Sequence, residues 1–259
     1  MEILVCIKQV PDDSVEISMN ANTGKPALEG VAEVVNAFDT YALEMATRLK
    51  ELKRGNICVL SLSGENVTNS LKNCLAVGAD EAFYIKNENY QNIETIHVAK
   101  ILKEGINKIE EQRGKKFDII FCGKESTDFS SGQVGIMLGN YLKYGVITNL
   151  VDINVLEENK VIAKRETEEG YQKIETEFPC LVTVTKPSYE PRYPTIKSKM
   201  LARKKEILEI KIDFNEKNII ENLKEFAPPK RQAGVKLKTG SPEELVKQAI
   251  EKILEAKIL

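Results

Sequence analysis

The sequence predicts a doubly wound α/β fold: a mostly parallel sheet, an added antiparallel hairpin and a C-terminal helical arm. Three observations carry that reading. Short apolar runs alternate with segments of helical periodicity through the first two thirds of the chain. The patterning then changes to alternating strands about a Glu168-Glu169-Gly170 turn. Last, a capping box opens an amphipathic segment beyond a polar stretch bearing Pro and Gly.

The elements follow in order. Residues 2–7, EILVCI, suit a strand buried on both faces. Residues 36–53 carry Phe38, Tyr41/Ala42, Met45 and Leu49 at helical spacing, with Asn36 as N-cap and Lys/Arg at the far end, where the helix dipole favours them. ICVLSL at 57–62 is the next strand, and a helix over about 66–77 stops at Gly78 before a strand at 81–85. A helix over roughly 92–113 leads into FDIIFC at 117–122, a buried strand, and the polar run from Gly123 opens a helix near residue 132. The hairpin then spans 160–178 and feeds a buried strand at 180–185. A proline-punctuated loop, SYEPRYPTIKSKMLARKK, ends in a short basic helix. FAPPKRQAGVKLKTG reads as an extended linker. Beyond it, Ser241 is an N-cap, Pro242 the first helical residue and Glu244 the capping-box partner. The final apolar stripe is Leu245, Ala249/Ile250, Ile253/Leu254 and Ile258. Residues 1–212 form the α/β domain and 213–259 the linker and helix, whose apolar face must be buried on this chain or on a partner.

Composition narrows the chemistry. Lys+Arg 37 against Asp+Glu 39 gives a net charge of −2, which removes the bulk electrostatic drive toward nucleic acid or anionic membrane. No apolar run approaches the roughly 20 residues of a membrane span, and MEILVCIKQV reads as a strand, not a leader. One His excludes a histidine-rich metal site. Five well-separated cysteines without a C-x-x-C pair exclude a disulfide framework and a four-cysteine zinc site, and they fit a reducing, cytoplasmic setting.

In open α/β sheets ligands bind beyond the carboxyl ends of the strands, where the strand order reverses. Four segments fall there: Cys6–Asp12, Asn36–Asp39, Ser61–Gly64 and Gly123–Val134. In the last, a strand ends in glycine, hydroxylated residues follow, and a helix opens near Gly132-Gln133. Helix N–H groups with the Ser130 and Ser131 hydroxyls suit a phosphate, although the same residue types also make plain turns. Gly132, Gly135 and Gly139 on nearly one helix face permit close packing on sheet or ligand. The loop is neither a P-loop nor a G-x-G-x-x-G fingerprint. Cys6 reads as a small buried residue, His97 as structural or solvated on a surface helix, and Asp12-Asp13 and Glu168-Glu169 as turn or surface acids. No nucleophile–base pair can be assembled, so a binding protein or carrier is favoured over a self-sufficient enzyme.

The residues resemble the electron transfer flavoprotein beta subunit along nearly the whole chain. The match is strongest at AKRETEEGYQKI, 163–174, with PCLVT at 179–183. CIKQVPD, Asn36-x-Phe38-Asp39 with YALE-x-A-x-RLKE, A-x-GADEA, GKES-x-D with Gln133, and EPRY-x-T with M-x-A-x-KK support it. The resemblance implies an adenine-nucleotide-binding, flavodoxin- or Rossmann-like fold. It implies a heterodimer with an alpha subunit that carries most of the redox FAD, while this chain holds AMP or a second FAD. Nucleotide contacts carried over fall on Cys6, Asn36, Ala37, Phe38, Asp39, Ser63, Gly123, Lys124, Glu125, Ser126, Thr127, Asp128, Phe129, Ser130, Ser131, Gly132, Gln133 and Val134. Phe38 aligns with an aromatic residue near the partner's flavin; alternatively it lies on the core face of its helix.

Residues 190–205 align with the family's recognition loop for acyl-CoA-type dehydrogenases, with Tyr193, Pro194, Thr195, Ile196, Lys197 and Met200 as docking residues and Ile196 at the apolar tip. The opening resembles the electron-bifurcating members, which use NADH. Their Asp-Gly-Asp followed by a small pair becomes Asp128-Phe129-Ser130-Ser131 here, so Phe129 either blocks a second isoalloxazine or stacks on it, and AMP is favoured. A homodimeric universal-stress-type ATP/AMP module is the alternative, and an ATP-dependent activating enzyme ranks last.

Overall fold

The computed structural model describes residues 1–20, 23–156, 159–215, 217–227, 229 and 233–256. Its contacts form two units, Met1–Ile17 with Pro26–Leu223, and Ser18–Lys25 with Lys224–Leu259.

In the first unit, strands β1 (Glu2–Cys6), β4 (Asn56–Ser63), β5 (Glu81–Lys86), β6 (Ile119–Gly123) and β10 (Cys180–Val184) form the parallel centre. β7 (Gly145–Val155) joins β10 in parallel, and β11 (Ile207–Glu209) joins β5 at the far edge, also in parallel. β8 (Lys160–Thr167) and β9 (Gly170–Glu177) extend the β7 side antiparallel. Among the described residues the order is β11-β5-β4-β1-β6-β10-β7-β8-β9. A small antiparallel pair, β2 (Gln9–Pro11) and β3 (Glu33–Val35), lies outside that sheet.

Alternate side chains of the buried strands feed two cores. Ile3, Val5, Val59 and Phe121 pack with α1 (Ala37–Lys53), α2 (Thr68–Val77) and α5 (Ile196–Lys204). Leu4, Leu60, Ile120 and Leu181 pack with α3 (Thr95–Arg113) and α4 (Val134–Leu142). Helix α4 approaches closely because it is bare on one side: a Cβ on Gly135 would lie 2.8 Å from Thr183 Cγ2, and one on Gly139 2.3 Å from Val146 Cγ2. Gly132 does not share that face; it precedes the helix, at φ +63°.

Three strands, β2, β3 and β7, escape the sequence pattern, as does the short edge strand β11. β7 carries Asn149 at φ +57°, and its pairing shifts there from parallel with β10 to antiparallel with β8, so no single alternation runs through it. Asn36 precedes α1 as expected but makes no capping bond. His97 is 2% exposed with its ring centroid 5.3 Å from that of Phe214, so it belongs to the core and not to a solvated face. The second unit contains α6 (Pro242–Glu255), opened by the expected capping box between Ser241 and Glu244. Val246, Ile250 and Leu254 on it are exposed, and Ile258 lies outside the described residues. None of the described helices is long and apolar enough to cross a membrane.

One ionic cluster fixes the segment before α5. Arg192 Nε donates to Glu44 Oε2 at 2.8 Å and Nη1 to Glu51 Oε1 at 2.5 Å, while the Arg192 backbone N–H also reaches Glu44 Oε2 at 3.1 Å. Arg48 bonds Glu44 Oε1 at 2.7 Å and lies over the Tyr189 ring, 3.8 Å from its centroid. Burial pushes the Glu44 carboxyl up, but the bonds from Arg192 and Arg48 outweigh it and hold the group below the usual carboxylate range. Arg192→Ala leaves this buried carboxylate to Arg48 alone, with an expected loss of about 3 kcal/mol in urea unfolding. Arg192→Lys should recover only part of it, because one ammonium cannot fork between two carboxylates.

Candidate functional site

The strand order reverses between β1 and β6: from β1 the chain winds outward through β4 and β5, then crosses back through α3 to β6 on the other side. At that crevice the carboxylate of Asp39, in the first turn of α1, is 5% exposed. Its Oδ2 accepts from the Lys8 backbone N–H at 2.7 Å and its Oδ1 from that of Gly123 at 3.0 Å, so it joins the ends of both strands. A Cβ on Gly123 would lie 2.3 Å from Asp39 Oδ1 and 2.9 Å from the Phe38 backbone carbon, so only glycine fits there. Burial pushes the Asp39 pKa up to about 7 against the pull of the Lys8, Asn36 and Gly123 contacts.

Asn36 is 1% exposed and spends its amide on the following loop, not on its own helix. Nδ2 donates to the Glu125 carbonyl at 2.8 Å, and Oδ1 accepts from the Thr127 N–H at 3.1 Å. Lys8 Nζ reaches Asp128 Oδ1 at 2.7 Å and Ser126 Oγ at 3.2 Å. The Ser126 carbonyl then accepts from the N–H groups of Phe129 and Ser130 at 3.3 and 2.8 Å. Ser130 at φ +50° and Gly132 at φ +63° bend the chain into α4, and Gln133 Oε1 accepts from Thr95 Oγ1 at 3.2 Å.

These elements enclose a cavity of about 540 Å³. Of the residues selected from sequence, Cys6, Asn36, Asp39, Gly123 to Phe129 and Ser131 to Val134 line it; Ala37, Phe38, Ser63 and Ser130 do not. Ser63 is fully buried, and Phe38 is half-buried with its ring edge-on to Tyr41. Cys6 and Cys122 lie side by side in the lining, and the hydrogen bond that the Cys122 thiol donates to Cys6, together with burial, pushes that thiol well up. All five cysteines are buried and free. The sequence reading did not select Tyr90, Ile93, Thr95, Val98 and Leu102, which form the wall from the end of β5 into α3, nor Ile17, Pro26 and Leu28. The strand-end rule applied to β5 finds Tyr90; the last three follow no such signal.

One side of the cavity is thus backbone N–H of a helix N-terminus with left-handed residues before it, the geometry that favours a phosphate. Leu62, Ile93, Val98 and Leu102 make an apolar side for a flat ring. The residue set fits an adenine nucleotide. Among the described residues no cluster of His, Cys, Asp or Glu could hold a metal ion.

The six residues selected for docking lie on or beside α5. Thr195 caps it, accepting from the Ser198 N–H at 3.1 Å while Ser198 Oγ accepts from the Thr195 N–H at 3.0 Å. Ile196, expected at a loop tip, is the first helical residue and 83% exposed; Tyr193, Lys197 and Met200 are exposed beside it, and Pro194 is half-buried.

A family model described as the electron transfer flavoprotein domain matches residues 26–215. The chain is 35% identical over 272 aligned residues, 100% of both chains, to an electron transfer flavoprotein subunit beta of Megasphaera elsdenii. The chain belongs to the electron transfer flavoprotein beta-subunit family. It is also 36% identical to subunit CarD of the caffeyl-CoA reductase-Etf complex of Acetobacterium woodii, over 76% of this chain and 72% of that one. Over the full length of both chains it is 28% identical to the electron transfer subunit gamma of acryloyl-CoA reductase of Anaerotignum propionicum. Electron transfer and association with flavin come with membership of the electron transfer flavoproteins.

The Asp39 clamp of this beta subunit carries a pH signature. The folded chain keeps that proton up to about pH 7 and the unfolded chain only to 3.8. Between those values the native state binds more protons, so the Asp39 contribution to stability falls as pH rises through the window. Asp39→Asn should remove that slope from the unfolding free energy measured between pH 5 and 8. It should also cost about 1–3 kcal/mol, because an amide must turn a donor toward one of the two N–H groups.

Proposed function

We propose that this chain is the nucleotide-holding half of a heterodimeric electron carrier. The carrying observation is the cavity at the β1/β6 crevice, with a helix N-terminus on one side and an apolar wall on the other. An adenine nucleotide occupies it, AMP or a second FAD in its place. The loop Gly123–Val134 holds its phosphate, as the strand-end geometry favours, and Asn36 and Asp39 orient that loop through their bonds to Glu125, Thr127 and Gly123. The redox FAD is held mainly by an alpha subunit and supplies the electron-accepting and electron-donating chemistry. This chain's residues position that flavin and exclude water from it.

The α/β domain, 1–212, docks a flavin dehydrogenase of the acyl-CoA type, or a related reductase, through Tyr193, Pro194, Thr195, Ile196, Lys197 and Met200. The names of the Acetobacterium and Anaerotignum relatives support that class of partner. The arm, 213–259, lays α6 on the alpha subunit, which would cover exposed Val246, Ile250 and Leu254. Five free, buried cysteines suit a cytoplasmic, reducing setting.

Two experiments test this reading. The complex with its alpha subunit is heat-denatured and the released FAD and AMP are counted per heterodimer. One FAD with one AMP marks a simple carrier; two FAD without AMP mark a flavin in this chain and make NADH-driven bifurcation the working mechanism. One FAD with neither AMP nor a second FAD overturns the nucleotide site. The paired variant Ser131→Ala with Gln133→Ala should lower the retained nucleotide. Separately, Ile196→Asp should abolish electron exchange with the dehydrogenase at unchanged flavin content, and an unaltered rate would refute docking through α5.

A further inference from the structure

Phe129 is the outlying feature of the cavity lining. It is 69% exposed, an unusual state for a phenyl ring, and among the described residues it stacks on no aromatic side chain. Its backbone is nevertheless tightly fixed. Asp128 before it is tied to Lys8 at 2.7 Å, its own N–H bonds the Ser126 carbonyl at 3.3 Å, and Ser130 after it bonds the same carbonyl at 2.8 Å in a left-handed conformation. A loop held by this many bonds presents its ring at one place, so little ordering remains to oppose a contact made there.

The ring also does not plug the site. An obstructing side chain would be buried against the opposite wall, yet Phe129 stays mostly exposed while it lines a cavity of about 540 Å³. It stands on the same turn as Ser130 and Gly132, the two left-handed residues that lead into the α4 N-terminus. A ligand with a phosphate and a flat ring therefore meets both of its recognition elements on one short stretch of chain.

We propose that Phe129 is the stacking face for the planar heteroaromatic ring of the bound nucleotide. This rests on the cavity being the nucleotide site. The shared chemistry is a flat heteroaromatic ring beside a phosphate, which both adenine and isoalloxazine supply, and base-on-aromatic stacking is tolerant of ring type.

The test uses the heterodimer freed of nucleotide by dialysis and titrated calorimetrically with AMP, with FAD and with ribose 5-phosphate, which has the phosphate but no ring. Phe129→Ala should weaken the ring-bearing ligand that the wild type binds by about tenfold and leave ribose 5-phosphate unchanged. Phe129→Tyr should bind like the wild type. If FAD is the ligand, the quenching of its fluorescence on binding should diminish in Phe129→Ala. Whether AMP or FAD shows the loss identifies the ring. Three results overturn the assignment: unchanged affinity in Phe129→Ala, tighter binding that would mark an obstructing ring, or equal weakening of ribose 5-phosphate that would mark a distorted loop. A wild-type complex that binds neither AMP nor FAD removes the nucleotide site itself, an outcome visible before any variant is made.

Discussion

A parallel sheet whose strand order reverses leaves two neighbouring strands that end without a common continuation, and their last backbone N–H groups need a partner. In this chain the partner is one carboxylate. Asp39 accepts from Lys8 beyond β1 and from Gly123 at the end of β6, and most other features of the site follow from that pair of bonds. Position 123 must be glycine, because the clamp draws α1 to where a Cβ would stand. Lys8 is turned so that its side chain reaches Ser126 and Asp128. The loop thus begins at a fixed point and is held again by Asn36 from the same helix turn.

Burying that carboxylate is costly, and its pKa of about 7 records the cost. A core designed for stability alone would put an apolar group there. What the acid supplies is a crevice held open by hydrogen bonds, where apolar packing would close it. The positive end of the α1 dipole and two backbone donors offset part of the desolvation. The remainder gives this crevice a contribution to stability that falls as pH rises from 3.8 to about 7.

Most of the sheet was legible because its strands are buried on both faces: EILVCI, ICVLSL and FDIIFC have no other reading at their lengths. β7 was not, since Asn149 breaks its alternation where it changes partners. The strand-end rule found the polar side of the cavity, whose residues lie next to β1 and β6 in sequence. It passed over Val98 and Leu102, because apolar residues on one face of α3 look the same whether they cover a core or a cavity. Asn36 illustrates a subtler limit: position marks it as a helix cap, and only the folded loop shows that its amide bonds Glu125 and Thr127 instead.

Helix α1 links the two surfaces on which the proposed function depends. Asn36 and Asp39 at its start shape the cavity, and Glu44 and Glu51 further along hold Arg192 and with it the approach to α5. At a rise of about 1.5 Å per residue, Asp39 and Glu44 are about 7–8 Å apart along one rigid rod. Leu43, Met45 and Leu49 bury the same helix in the sheet, so it cannot shift toward one surface without moving the other. A single packed helix thus anchors both the cavity lining and the segment before α5, and it keeps the separation of the two constant. Much of the ionic chemistry of the molecule is accordingly spent on α1, at sites where a displacement would be felt at both ends.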